Sequence, residues 1–371
     1  MLTNARKSKH IRKSPFFLNN HYSDWGYYYL WEGKLDSSLH YIRLWDSLPT
    51  RDSVNNLIGL QLKGNYHYLR NNIDSAKFYF SQGYRFAKQQ KNLPIQERFA
   101  NNLGAIAFQA SMYGTASHYF ADAYRINAKN EKKNKMLINN LAACYLNEND
   151  PQKAIPLLLS LKESLDVNNT SYEGALSKIN YISALISIKD LNPAKELLEN
   201  MNMNDIPESL QGAFFVQKLK YLQSTGYADG ITFLRKEKEN IKKFSRDILH
   251  KFGIGFVQLY QKYPEAYNYL NIENTPKEFE SFDPKTKHHF HKIRSLEFER
   301  NGMIKQALYE LRNANESLRE YNSITDSLKV ADTRANIALV ELEDQLNQST
   351  KELNYSKRIN EQNRISILLL A

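Results

Sequence analysis

The fold is decided by residues 101–124, "NNLGAIAFQASMYGTASHYFADAY", which read as a helix, a short turn and a second helix whose small residue faces the first. Residues 139–161, "NNLAACYLNENDPQKAIPLLLSL", repeat that plan. Working outward, the small residue recurs as Ser38, Ala76, Ala116, Ala154 and Ala194, at spacings of 38, 40, 38 and 40. Four positions after each comes a large apolar residue: Ile42, Phe80, Phe120, Leu158 and Leu198. A small side chain lets two helices approach, and a large one a turn later on the same face fills the groove beside it.

Turn chemistry falls in step with this period. "GKLDSS", "NNIDSA", "NDPQKA" and "KDLNPA" put Gly, Asn, Asp or Pro where one helix must end and the next be capped. A late copy, "FHKIRSLEFERNGMIKQALYELRNA", carries Gly302, Ala307 and Leu311. "STGYADGITFL" from Ser224 is a degenerate copy whose register is open by one residue, and 244–283 shows only helical periodicity. With 14 Gly and 10 Pro in 371 residues and no run of alternating strands, the composition suits helices joined by short turns.

Ahead of the small residues stand Trp25-Gly26 with Tyr29, Gly64, Leu103-Gly104, and Leu141-Ala142 with Tyr145. The chain here resembles the tetratricopeptide repeat, Trp-x₂-Leu-Gly-x₂-Tyr, then Ala-x₃-Phe, then Pro. The first copy, "DWGYYYLWEGKLDSSLHYIRLWDSLP", matches at Trp25, Gly26, Tyr29, Ser38, Ile42 and Pro49. The resemblance spans residues 20 to 320 and implies an all-α, right-handed superhelical solenoid of helix hairpins, first helices lining its inner face. At 38 to 40 residues the repeats exceed the usual 34, which predicts helices about one turn longer. In length they resemble those of kinesin light chains and bacterial quorum-peptide receptors.

Asn102, Asn140 and Asn180 occupy one register on three consecutive first helices, each 14 residues before its small residue. A carboxamide both donates and accepts, so it can hold the backbone of an extended peptide without reading side chains. The resemblance implies that role for these three; the alternative is that they bond a neighbouring helix or water. Asn101 and Asn139 precede two of these, Asn65 and Arg98 fall where a groove-facing residue is expected, and Arg98 could pair with a ligand carboxylate. The Lys and Arg arrangement of a full carboxylate clamp is absent from adjacent repeats.

Catalytic patterns are missing: no GxxxxGK[ST], GxSxG, HExxH or GxGxxG occurs, and no cofactor is expected. His288, His289 and His291 in "KHHFHK" have no acid or cysteine in register to complete a metal site, so a plain surface or groove trio is expected. The single cysteine, Cys144, suits a buried hydrophobe. The formal charge is +10, of which Arg6, Lys7, Lys9, Arg12 and Lys13 supply half. That describes a basic arm on a nearly balanced body, without the basic, aromatic-lined groove that nucleic-acid binding requires.

Beyond the repeats, residues 331–364 lack Gly and Pro, and Leu339, Leu342, Leu346 and Leu353 form a short seam suited to self-association or to a capping helix. The apolar "ISILLLA" at 365–371 contrasts with a mean hydropathy of −0.60. Seven almost wholly apolar residues behind a basic, polar flank read as the start of a membrane helix, which needs about 20. The order of segments resembles Bacteroidetes sensors with a repeat array, a linking helix and a transmembrane span. In those the array is periplasmic, which is the placement expected here; the basic flank, whose excess is small, would favour the cytoplasmic alternative. The expected organisation is an arm over 1–18, an array over 19–325 degenerate around 220–285, a linking helix over 326–364, and the start of a span over 365–371. The expected activity is non-enzymatic binding of a peptide or protein segment within a signalling protein, or alternatively within a soluble adaptor.

Overall fold

The computed structural model describes residues 15–48, 53–129, 134–166, 168–228, 230–270, 279, 282–330 and 332–333. All regular structure among them is helical. Four hairpins lead: α1 (Pro15–Trp31) with α2 (Leu35–Asp46), α3 (Ser53–Leu69) with α4 (Ile73–Gln89), α5 (Leu93–Gln109) with α6 (Tyr113–Lys129), and α7 (Lys135–Asn147) with α8 (Pro151–Leu159). After the single turn of α9 (Lys162–Leu165) come α10 (Tyr172–Ser187) and α11 (Leu191–Asn200), then α12 (Glu208–Ser224) with the broken pair α13 (Gly230–Lys236) and α14 (Lys238–Lys243). α15 (Ser245–Lys262) is followed only by a 3₁₀ segment, and α16 (Pro284–Arg300) pairs with α17, residues 304–330. α1 begins at Pro15, four residues inside the segment read as a basic arm.

The five small residues and the five large ones that follow them are all buried, so the 38/40 period is the period of the core. Gly64 and Gly104 show why the first helices carry glycine. A Cβ on Gly64 would stand 2.2 Å from the Phe80 ring, and one on Gly104 would stand 2.7 Å from Phe120. Each phenyl ring lies against bare backbone of its own hairpin partner. First helices also stack on one another, α7 on α10, α10 on α12, α12 on α15 and α15 on α16, so the core continues along the chain.

Every hairpin turn uses the same device. The second residue after the first helix adopts a left-handed conformation at Gly33, Asn71, Ser111, Asn149, Lys189, Gly226 and Gly302, and so does Lys91 between α4 and α5. The following N–H reaches back five residues, as from Asn72 to the His67 carbonyl at 2.8 Å and from Met303 to Phe298 at 2.8 Å. This satisfies carbonyls the helix end leaves open. It also fixes the register of the degenerate copy. Gly226 is the turn residue, Gly230 takes the small position, and Leu234 is the buried large residue four later. Tyr227, also left-handed, takes up the residue by which that turn is short. Glycine tolerates this backbone far better than a residue with a Cβ. Lys91→Gly and Lys189→Gly, both at exposed sites, are therefore expected to stabilise by about 0.5–1 kcal/mol each, measured by urea unfolding.

One expectation needs correction. Repeat length does not translate evenly into longer helices: α3 to α6 have 17 residues each, but α8 has nine and α11 ten. The remaining length lies in connecting segments such as the stretch around α9. The carboxy-terminal helix extends past its own hairpin. α17 packs along α16, where Ser295 donates to the Ala307 carbonyl at 2.9 Å, and then reaches the distant α6. There Asp332 accepts from Thr115 N at 2.9 Å, Thr115 Oγ1 at 2.6 Å and Gly114 N at 3.2 Å. α4 and α8 are capped by Asn72 and Asp150 in their own turns, but Met112 before α6 has no oxygen to offer. A residue 217 positions away supplies the cap that the local sequence lacks. The seam over 334–364 and the apolar stretch 365–371 lie outside the described residues. Among the described residues no helix is long and apolar enough to cross a membrane.

Candidate functional site

Because the small and large residues send one face of each helix into the core, the first helices turn their other face toward a common groove. It encloses about 830 Å³ and draws its walls from α5, α7, α10, α12, α15 and α16 in order, with Tyr68 of α3 and Tyr113 of α6 at the margins. Leu176, Ile179 and Val216 give it an apolar floor between polar groups.

Of the residues singled out in the sequence, Asn139, Asn140 and Asn180 line this groove; Asn65, Asn101, Asn102 and Arg98 do not. The three lining carboxamides differ in chemistry. Asn139 is fully buried and donates to Ser177 Oγ at 2.8 Å and to the Lys135 carbonyl at 3.0 Å, tying α7 to α10. Asn180 donates to Asn139 Oδ1 at 3.3 Å, so it extends the same inter-helix bond. Asn140 is half-buried and makes no hydrogen bond to another described residue, which leaves its donor and acceptor facing the groove. Asn101 and Asn102 on α5 and Asn65 on α3 are half-buried. Arg98 is exposed beside α1, where its charge opposes the upward shift that burial gives the Tyr27 phenol.

The far end of the groove holds residues that sequence reasoning missed. Lys220 of α12, Lys251 of α15 and Lys285 of α16 all line it, and all three also line an adjoining cavity of about 360 Å³. They are spaced 31 and 34 residues apart, close to one repeat, yet the repeat register is lost across this region and the periodicity is invisible without the fold. Burial holds the Lys220 ammonium below the usual lysine range, and the neighbouring charges of Lys285 and Lys251 push it in the same direction. Lys251 has Asp247 at 3.4 Å. Lys285 lies 6.0 Å from the Tyr321 ring of α17. His250 is held by Asp283 at 2.9 Å, and Asp283 in turn caps α16 through Thr286 N at 3.0 Å.

α17 runs past this groove. It touches Lys285 at Tyr321 and meets α6 at Asp332, next to Tyr113. Tyr321 and Asp332 are 11 positions apart in the chain.

The histidine trio does not converge. His288 Nδ1 donates to the Ala314 carbonyl at 2.8 Å, His289 Nδ1 donates to the Leu249 carbonyl at 2.8 Å, and His291 meets Glu310 at 2.5 Å, a carboxylate shared with Arg294 at 3.2 Å. His288 and His291 fasten α16 to α17, and His289 fastens it to α15. Cys144 is buried between α7 and its neighbours, and burial raises its thiol far above the range of a reactive cysteine. No family model matches the chain, and no curated protein is similar to it.

Proposed function

We propose that the chain is a non-enzymatic peptide-binding protein built on tetratricopeptide-like hairpins, and that an extended segment of a partner lies along the groove of first helices. The observation that carries this reading is Asn140, a carboxamide that has no side-chain partner among the described residues and lines an 830 Å³ groove walled by successive first helices. Such a group can hold a strand's backbone N–H and C=O at once, and the apolar floor takes alternate side chains. Asn139 and Asn180 support it from behind by fixing the spacing of α7 and α10.

The same reading makes the array the sensing part of a larger signalling protein, with α17 as its link. Because α17 crosses from Lys285 to α6, any ligand that changes the spacing of the groove walls strains or relaxes the Asp332 contact. The array's inter-hairpin rotations add along its length, so a small change per interface becomes a large displacement at the end.

A library of random, photo-crosslinkable octapeptides tests this. Crosslinks are expected on the groove faces of α7, α10 and α12, and Asn140→Ala should weaken the captured peptides roughly tenfold, the worth of one or two hydrogen bonds. Stability should stay within about 0.5 kcal/mol, since that side chain bonds none of the described residues. Crosslinks confined to other surfaces, or unchanged affinity in the variant, would refute the groove reading.

A further inference from the structure

We propose that Lys220, Lys251 and Lys285 form a subsite for a phosphoryl group on the segment seated in the groove, an inference that rests on the peptide reading above. Three helices each contribute one ammonium to a single region walled by two cavities. Such convergence of like charge is unfavourable in the protein alone, because each charge raises the cost of the others and burial removes the water that would screen them. Lys220 bears most of this cost: its ammonium has no hydrogen-bond or ion-pair partner among the described residues and is destabilised by both of its neighbours. The nearby carboxylates do not relieve it. Asp247 sits on Lys251 at 3.4 Å, and Asp283 is engaged by His250 and Thr286. An anion entering the groove would supply the missing counter-charge.

The donor set decides which anion. A guanidinium presents a flat fork that matches the two oxygens of a carboxylate, whereas lysines act as separate point charges. Three lysines approaching from three helices suit a group with three terminal oxygens and nearly two negative charges, which a phosphate ester is at neutral pH. Lys285 lies against Tyr321, so an anion drawing that ammonium inward would also act on α17.

The test uses the full chain and two probes. Inorganic phosphate is titrated calorimetrically at fixed ionic strength against acetate and chloride. Paired random peptide libraries, identical except for phosphoserine at one position, are then compared for capture. Phosphate should bind where acetate and chloride do not, and the phosphorylated library should be enriched. Lys220→Gln and Lys285→Gln should each weaken phosphate roughly tenfold, while Lys77→Gln on the exposed face of α4 should leave it unchanged. Two separate lysine variants, each checked for helical content, guard against misfolding of either. Phosphate binding no tighter than acetate, or unaltered in both variants, overturns the inference. Equal capture of both libraries also overturns it and leaves the peptide groove standing. Phosphate binding without capture of either library refutes the peptide reading and, with it, a subsite for a segment in the groove.

Discussion

Phe120→Ala will cost about 3–5 kcal/mol, the range for emptying a fully buried phenyl site, because this ring is 1% exposed and lies between Gly104 and the α5–α7 core. Gly104→Val will cost about 1–3 kcal/mol by itself, since its Cβ would stand 2.7 Å from the same ring. Together they should cost at least about 1 kcal/mol less than the two losses added, because the valine then occupies part of the space the phenyl has left. Arrays of hairpins can open locally, so amide exchange across α5 and α6 is the measurement to make, alongside urea unfolding. Strict additivity of the two substitutions would mean that the ring does not lie on the glycine.

Acid will loosen the other end of the array through His289. Its imidazole is 3% exposed, sits where a Cβ on Gly253 would be, at 2.1 Å, and donates from Nδ1 to the Leu249 carbonyl. Burial above all, with the charge of His288 second, pushes its pKa down to about 4. In the unfolded chain the same group titrates near 6.5. Between those values the unfolded state binds the extra proton, so stability falls as pH drops from about 6.5 toward 4 and levels off below. The loss attributable to this residue is about 3 kcal/mol. His289→Gln keeps a donor for Leu249 without the titration and should flatten the pH dependence of unfolding in that window. An unaltered pH profile in the variant would show that the proton is taken up elsewhere.

Much of this architecture can be read from sequence because its signals are local. Ser38, Ala76, Ala116, Ala154 and Ala194 each act with a residue four positions later and a turn five positions earlier, and all of these prove to be buried core or left-handed turn positions. The Asn register was equally visible, but its meaning was not. Asn140 and Asn180 occupy equivalent positions, yet among the described residues one lines the groove without a side-chain partner and the other bonds Asn139, which Ser177 of the next helix holds inward. Pattern gives position on a face; it does not say which neighbour reaches the side chain first.

By itself the sequence determined that the chain is helical, that it folds as successive hairpins, where most of their turns fall, and which small and large residues make the core. Those properties follow from backbone geometry and from contacts within about forty residues of chain, which repeat and so announce themselves. Tertiary structure alone decided the convergence of Lys220, Lys251 and Lys285, the divergence of the three histidines, and the capping of α6 by Asp332. Each of these depends on how stacked helices rotate relative to one another. That rotation is set by the packed core of every intervening hairpin and is written in no single stretch of residues.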